Sequence, residues 1–293
     1  MIYEIKNKYL TAKINSIGAE IISVIDNKTN TEFIWQGDKK YWESHSPVLF
    51  PQCGRIFNKT YIHDSKEYKM DLHGFARHFE FNLIQKSADS IEMSIDDTEE
   101  TRKIYPFNFN LTICYTLNKK SIRITFKILN KDKREIYFSY GAHPGFNVPF
   151  AGVGSFEDYY VEFSKSSYPI KYFNKNGLYD GNDGTYDIPD NKLFLKHSLF
   201  KLDSSFFFVS NKDTIYLRNK INSNYIKVAY NNMKYFGLWQ TEESDAPFLC
   251  IEPWFGLPGR QDEICELKNK FDITRLDAKQ EHQNFYDIEF FIE

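Results

Sequence analysis

The sequence contains no run of the roughly 18 apolar residues that a membrane-spanning helix needs. Residues 1–8 mix acidic, basic and apolar side chains, unlike the apolar core of a signal peptide. The formal net charge is only -3, and basic residues are scattered instead of forming the patch that binds nucleic acids. We therefore expect a cytoplasmic protein that binds neither membranes nor nucleic acids, and whose ligand is a small molecule.

Cysteine is scarce, and several common motifs are missing. The four thiols, Cys53, Cys114, Cys250 and Cys265, are far apart and form no CxxC pair, which argues against a structural zinc site. We expect them to be free thiols in a reducing compartment. The absence of a glycine-rich phosphate loop and of βαβ alternation excludes nucleotide-binding α/β folds. No low-complexity linker divides the chain, so we expect a single domain over 1–293.

Alternation of apolar and polar residues is the dominant pattern that is present. Every second residue of 122–128 is apolar, and the polar turn 118–121 joins this run to 107–117, which predicts a hairpin with one buried face. Similar runs occur at 79–83, 91–95, 214–217, 226–230 and 288–292. Many strands joined by short turns predict an all-β sandwich or barrel. The best helical candidate lies around 39–42, and 175–190 is predicted to be a long surface loop.

Three short segments place titratable side chains beside glycine or proline. His143 precedes Pro144 in a stiff turn between glycines, and His73 is followed by a glycine and an aromatic residue. Glu252 ends an apolar run, where Pro253 is expected to stop the strand. A carboxylate buried without a partner is too costly to be incidental. These residues are therefore candidates for chemistry.

Taken in order, the motifs resemble the aldose 1-epimerase (mutarotase) family, and most of all its LacX-like branch. The residues that carry the resemblance are Gly54-Arg55-Ile56, Leu72-His73-Gly74, Gly141-Ala142-His143-Pro144, Leu202-Asp203 and Ile251-Glu252-Pro253-Trp254. The similarity extends from 17–20 to the final strand. It implies a large antiparallel β-sandwich of the galactose mutarotase-like (supersandwich) type, with no metal and no organic cofactor. The implied reaction is the interconversion of the α and β anomers of a free aldohexose.

The resemblance also assigns roles. It makes Glu252 the general base that deprotonates the anomeric hydroxyl and His143 the general acid that protonates the ring oxygen. His73 is implied to donate a hydrogen bond to the ring oxygen or to a neighbouring hydroxyl. Arg55 is implied to hold two hydroxyls with its planar guanidinium, and Asp203 to bind another. The partner is a sugar, and the protein is expected to be a monomer or a homodimer.

The sequence departs from the family pattern at two positions. Ser204 follows Asp203 where the family commonly has a histidine, and Gly54 stands where it usually has an asparagine. The identity of the hexose therefore stays open. Trp239 and Phe255 are candidates for stacking on the apolar face of a sugar, although core packing explains an aromatic residue equally well.

Four alternatives remain. His73, His143 and Glu252 could form a two-histidine, one-carboxylate metal site, although no two ligands are close together on one strand. A glycosidase needs two facing carboxylates, and Asp203 is a weak second one. A hexose-6-phosphate epimerase would need a basic pocket, for which three arginines are candidates: Arg55, Arg77 and Arg260. A sugar-binding protein without turnover would not need a matched acid and base.

Overall fold

The computed structural model describes the chain except for residues 175, 201–205, 210–212 and 243, and describes only the backbone of 206–209. It consists almost entirely of antiparallel β-structure, which confirms the all-β prediction. In the described part, one short α-helix, α1 (Glu99–Ile104), interrupts the strands. None of the described helices is long and apolar enough to cross a membrane.

The strands and short 3₁₀ helices follow one another along the whole chain. The strands are β1 (Ile2–Lys6), β2 (Leu10–Asn15), β3 (Glu20–Asp26), β4 (Val48–Leu49), β5 (Thr60–His63), β6 (Lys66–Lys69), β7 (Asn82–Lys86), β8 (Ser90–Asp96), β9 (Phe109–Asn118), β10 (Ser121–Asn130), β11 (Ile136–Phe138), β12 (Tyr140–Ala142), β13 (Gly145–Asn147), β14 (Tyr159–Glu162), β15 (Ser167–Phe173), β16 (Tyr179–Asp187), β17 (Lys192–Phe194), β18 (Phe206–Val209), β19 (Thr214–Asn219), β20 (Tyr225–Ala229), β21 (Tyr235–Trp239), β22 (Phe248–Phe255), β23 (Thr274–Leu276) and β24 (Glu281–Phe291). The 3₁₀ helices are Phe57–Lys59, Ala76–His78, Phe156–Asp158, Pro189–Asn191, His197–Phe200 and Leu267–Asn269.

Two large sheets face each other across the core. One has nine strands in the order β17-β14-β19-β20-β24-β10-β9-β8-β7. The other has eight, in the order β16-β15-β18-β21-β22-β12-β4 with β13 also paired to β22. Phe126 of the first sheet contacts Tyr140 of the second, with ring centroids 5.0 Å apart, within one continuous apolar cluster. Smaller sheets of three strands (β1-β2-β3) and two strands (β11-β23 and β5-β6) complete the structure.

The predicted hairpin is present as β9 and β10. Their register pairs Asn118 with Ser121 across the turn. Alternate side chains of β10, beginning with Ile122 and Ile124, are buried, as the period-two pattern requires. Burial on one face of the strand therefore fixes the register of this hairpin.

Strand β22 corrects one prediction, because Pro253 does not stop it. The strand continues to Phe255, and β12 and β13 pair with its two ends. Between them the neighbouring strand is interrupted at 143–144, and the register places Ala142, the last residue of β12, opposite Pro253. Pro253 has no N–H to donate, so the ladder lacks one hydrogen bond where β12 ends, although the strand itself continues.

Two other local predictions were wrong, and the best helical candidate is not a helix. The candidate helix around 39–42 is a turn, in which the Tyr41 and Trp42 amides donate to the carbonyl of Asp38. The run 79–83 contributes only its end to β7, which begins at Asn82. Most of the predicted loop 175–190 is the edge strand β16, paired to β15. An edge strand with exposed side chains needs no apolar alternation, so its sequence carried no strand signal.

Candidate active site

Glu252 and His143 meet where β22 passes the break between β12 and β13. The register on either side of the break is the same, so continuing it places His143 opposite Glu252. Nε2 of His143 lies 3.2 Å from Oε2 of Glu252, and the two residues are 8% and 1% exposed. The His143 amide donates to the carbonyl of Pro47 over 3.0 Å, which fixes the turn. An imidazole and a carboxylate are therefore held in direct contact inside the protein.

Aromatic rings enclose the imidazole. The centroid of the His143 ring lies 5.0 Å from that of Trp42, 5.3 Å from that of Trp239 and 5.4 Å from that of His73. Burial lowers the pKa of His143, to about 3, its own carbonyl opposes the shift, and the Arg77 guanidinium adds to it. The adjacent Glu252 carboxylate, when ionised, favours the protonated imidazole. Burial thus favours the neutral His143 imidazole, whereas the carboxylate favours the protonated one.

His73 is locked in one orientation by residue 54. Its amide donates to the carbonyl of Gly54 over 3.0 Å, and the Gly54 amide donates to Nδ1 of His73 over 3.1 Å. Because Nδ1 accepts a hydrogen bond, the proton of the neutral ring lies on Nε2. Burial, together with His143, Arg77 and Arg55, holds the pKa of His73 well below its usual value. His73 is therefore a neutral hydrogen-bond donor.

The backbone around His73 requires glycine at position 74. His73 itself has a φ of 65° and Gly74 a φ of 72°, both in the left-handed region. A Cβ on Gly74 would lie 2.3 Å from the carbonyl oxygen of Phe50. The His-Gly pair of the sequence motif thus reflects a tight turn packed against the start of the Phe50–Pro51 segment.

A cavity of about 250 Å³ opens beside these residues, small for a ligand site. Its lining residues are Trp42, Pro47, Gly54, Arg55, Leu72, His73, Arg77, His143, Gly177, Trp239, Glu252, Trp254 and Pro258. The cavity combines flat aromatic faces with a few polar groups. That combination suits a small polyhydroxylated ligand.

The arginines named in the sequence lie in different places. Arg55 and Arg77 line the cavity, whereas Arg260 lies over the rings of Tyr179 and Phe271 and is not among the lining residues. Within the described part of the chain Arg77 forms no ion pair, and its Nε donates to Nε2 of His78 over 3.1 Å. Burial lowers the pKa of the Arg77 guanidinium below its ordinary value. The cavity wall therefore carries two guanidinium groups.

The structure brings together five of the seven residues that were predicted for the site: Glu252, His143, His73, Arg55 and Trp239. Phe255 lies apart from the cavity, stacked on Tyr140 with ring centroids 5.0 Å apart. Side chains an odd number of positions apart lie on opposite faces of a strand, so Phe255, three residues after Glu252, points to the opposite side of β22. Asp203 lies outside the described residues.

The sequence reasoning missed Trp42. This residue lies in an irregular segment, and its ring stacks on Phe248 with centroids 5.6 Å apart. A Cβ on Gly145 would lie 2.9 Å from Cζ3 of Trp42. The glycine after Pro144 therefore signals a close approach, although nothing in the sequence identifies the approaching ring.

One group of side chains in the described residues could hold a metal ion. Potential ligand atoms of His143, Cys250 and Glu252 all lie within 4.8 Å of one another, and all three residues are buried. His73, the second histidine of the metal-site alternative, is not in this group. Cys250 takes its place.

Comparisons with known proteins agree on one family. A family model described as aldose 1-epimerase matches residues 1–283. The plasmid-encoded protein LacX of Lactococcus lactis subsp. lactis is 33% identical over 298 residues, covering 98% of this chain and 99% of the relative. A galactose mutarotase related enzyme from Lactobacillus acidophilus superposes with a TM-score of 0.95 at 31% identity, covering 100% of this chain and 98% of the other. A galactose mutarotase-like protein from Lactobacillus casei gives 0.92 at 28% identity, with coverages of 99% and 100%. The fold is thus galactose mutarotase-like.

Proposed function

The chain belongs to the aldose 1-epimerase family, and from that premise we propose that it interconverts the α and β anomers of a free aldohexose as a single domain over 1–293. The observation that carries the proposal is the contact of 3.2 Å between His143 and Glu252 at a cavity lined by tryptophans. Anomer exchange needs one group to remove a proton from the anomeric hydroxyl and another to supply one to the ring oxygen. The cavity offers the Glu252 carboxylate and the His143 imidazole for these tasks.

The proposed reaction conserves the protons of the pair. Glu252 accepts the proton of the anomeric hydroxyl while His143 donates a proton to the ring oxygen, and the bond between the anomeric carbon and the ring oxygen breaks. The aldehyde carbon then turns its other face to the oxygen of the new hydroxyl. During closure His143 removes the proton from that hydroxyl and Glu252 returns one to the carbonyl oxygen. Each group ends in its starting state, so no cofactor enters the cycle.

The other lining residues support binding. Nε2–H of His73 is available as a donor to a sugar oxygen, because Nδ1 is occupied by the Gly54 amide. The Arg55 guanidinium can donate to two neighbouring hydroxyls. Trp42 and Trp239, whose ring centroids lie 5.4 Å apart, offer apolar faces to the C–H groups of the sugar.

Polarimetry on freshly dissolved α-glucose and α-galactose tests the proposal. We expect the full-length protein to accelerate the approach to the equilibrium rotation well above the spontaneous rate. Glu252→Gln is expected to remove this acceleration while sugar still protects the protein against thermal unfolding. Spontaneous rates with every aldohexose tried would refute the proposal.

A hexose-6-phosphate is the second candidate substrate. It is favoured by one observation, the presence of both Arg55 and Arg77 in the cavity wall, since guanidinium groups bind phosphate well. The same polarimetric assay with glucose 6-phosphate and galactose 6-phosphate separates the two candidates. A kcat/KM at least tenfold higher for the phosphates, lost in Arg77→Met but kept in Arg260→Met, would favour the phosphorylated sugar.

A further inference from the structure

Cys250 is a buried thiol that the proposed proton transfers do not use. It precedes Glu252 by two residues on β22, so both side chains project from the same face of the strand. It is fully buried in a cluster with Trp35, Ala246 and Phe248. A sulfur atom therefore lies directly beside the acid and base pair.

We propose that His143, Cys250 and Glu252 form a binding site for a borderline-soft divalent cation, such as Zn²⁺ or Cd²⁺. The ion would occupy the floor of the cavity and hold both members of the acid and base pair. The site is therefore inhibitory, and this second part of the inference rests on the proposed function.

The spacing of the three side chains fits such an ion. Zinc binds cysteine sulfur at about 2.3 Å and histidine nitrogen or carboxylate oxygen at about 2.0 to 2.2 Å. In a tetrahedral site two ligand atoms of one ion lie about 3.3 to 3.7 Å apart. The ligand atoms here lie within 4.8 Å of one another, so side-chain rotations that shorten the widest separation by about 1 Å would complete the site. His143 and Glu252 already lie 3.2 Å apart, as two ligands of one ion do.

The donor set selects the class of metal. A thiolate, an imidazole and a carboxylate favour Zn²⁺ and Cd²⁺ over the hard ions Mg²⁺ and Ca²⁺, which prefer oxygen ligands alone. Three protein ligands leave the fourth tetrahedral position open toward the cavity. Water can fill it, because His143 and Glu252 both line the cavity.

Charge balance is compatible with burial. As the metal–sulfur bond forms, the S–H bond of Cys250 breaks and its proton passes to solvent. The thiolate and the Glu252 carboxylate then offset the two positive charges of the ion, and the imidazole is neutral. A buried site without net charge avoids the large cost of an unpaired charge. The lone pairs that His143 and Glu252 need for proton transfer are then engaged by the metal.

Titration of the chelator-treated, full-length protein with Cd²⁺ tests the binding. We expect an ultraviolet charge-transfer band from sulfur to cadmium that saturates at one ion per chain. Cys250→Ser should abolish the band, whereas Cys265→Ser, which removes a half-buried thiol elsewhere, should leave it unchanged. A band that persists in Cys250→Ser, or that vanishes in Cys265→Ser, overturns the proposal.

A second variant guards against misfolding of the first. Glu252→Gln keeps the thiol and the shape of the side chain but removes a ligand charge, and it should weaken Cd²⁺ binding at least tenfold. Unchanged affinity in this variant overturns the three-ligand site. Near-ultraviolet circular dichroism of each variant verifies that the tertiary structure is retained.

Inhibition is measured separately in the polarimetric assay. The rate of the wild-type protein should fall in proportion to the charge-transfer band, and saturating sugar should shift the inhibition to higher Cd²⁺. Cys250→Ser should keep its rate in the same Cd²⁺ concentrations. A full band with an undiminished rate overturns the inhibitory part. A protein that binds Cd²⁺ but accelerates no sugar contradicts the proposed function and leaves the metal site standing.

Discussion

His143 and Glu252 face each other where the pairing of β22 is interrupted between β12 and β13. Strands β12 and β13 approach β22 in the same register, and the turn between them brings Nε2 of His143 to 3.2 Å from Oε2 of Glu252. Pro144 and Pro253 remove two amide donors from the ladder at this place. The break that the prolines allow is what gives the two side chains access to the cavity.

The first prediction concerns this pair. Glu252→Gln and His143→Asn should each lower kcat by about 10²- to 10⁴-fold, because each removes one positioned proton-transfer group. Glu92→Gln is the matched control, since Glu92 accepts from Lys127 on the outer face of the nine-stranded sheet. Polarimetric kcat values decide the matter. A loss of less than tenfold in either active-site variant would contradict the assigned role.

The second prediction concerns the hydrogen bond of His73. His73→Asn should raise KM with a smaller effect on kcat, because the residue is proposed to bind substrate and not to transfer a proton. Loss of one neutral hydrogen bond costs about 1 kcal/mol, or about a fivefold change in affinity. His63→Asn is the control, because His63 is buried like His73 but lies outside the cavity lining. A loss of kcat as large as in Glu252→Gln would instead make His73 a proton donor.

The third prediction concerns Trp42. Its ring lies against His143 and lines the cavity, so Trp42→Leu should raise KM and lower kcat together. Tyr41→Leu is the matched control, because its neighbouring ring contacts Trp35 and does not line the cavity. Equal kinetic constants for Trp42→Leu and the wild-type protein would exclude a role for this ring in binding or positioning.

The fourth prediction concerns pH and stability. Burial, and then the positive charge of Lys234, lower the pKa of His282, whose Nε2 lies 2.7 Å from the hydroxyl of Tyr140. Below the unfolded pKa of about 6.5 the unfolded state then binds more protons than the folded state, so the free energy of unfolding falls as pH falls. Urea unfolding at pH 7.5 and pH 5.5 measures this loss. His282→Gln should reduce it, and an identical loss in the variant would contradict the assignment.

The sequence predicted the strands with one buried face better than those without one. The hairpin of β9 and β10 follows from alternation, whereas the edge strand β16 has mostly exposed side chains with no apolar alternation and was predicted as a loop. The helix α1 has six residues, too few for a helical period to be visible, although Thr98 and Thr101 cap each other across its first turn. Local pattern thus fails where burial does not impose a period.

The site was predictable to the extent that its residues lie in motifs. Glu252, His143 and His73 stand beside proline or glycine, and the turns that need these residues also aim their side chains. Trp42 and the proximity of Cys250 to the pair depend on how distant segments pack, which alternation and turn signals do not describe. Phe255 shows the same limit, because its side chain faces away from Glu252 only if β22 continues past Pro253, where the sequence predicted the strand to stop.

Exchange spectroscopy by proton NMR tests the central claim most directly, because it follows the anomeric protons of a sugar at equilibrium. With wild-type protein and glucose, galactose or their 6-phosphates, we predict cross-peaks between the α and β anomeric protons of at least one sugar. Glu252→Gln at the same concentration should show none beyond the spontaneous exchange. Absence of enzyme-dependent cross-peaks for all four sugars, or their full retention in Glu252→Gln, would contradict the account.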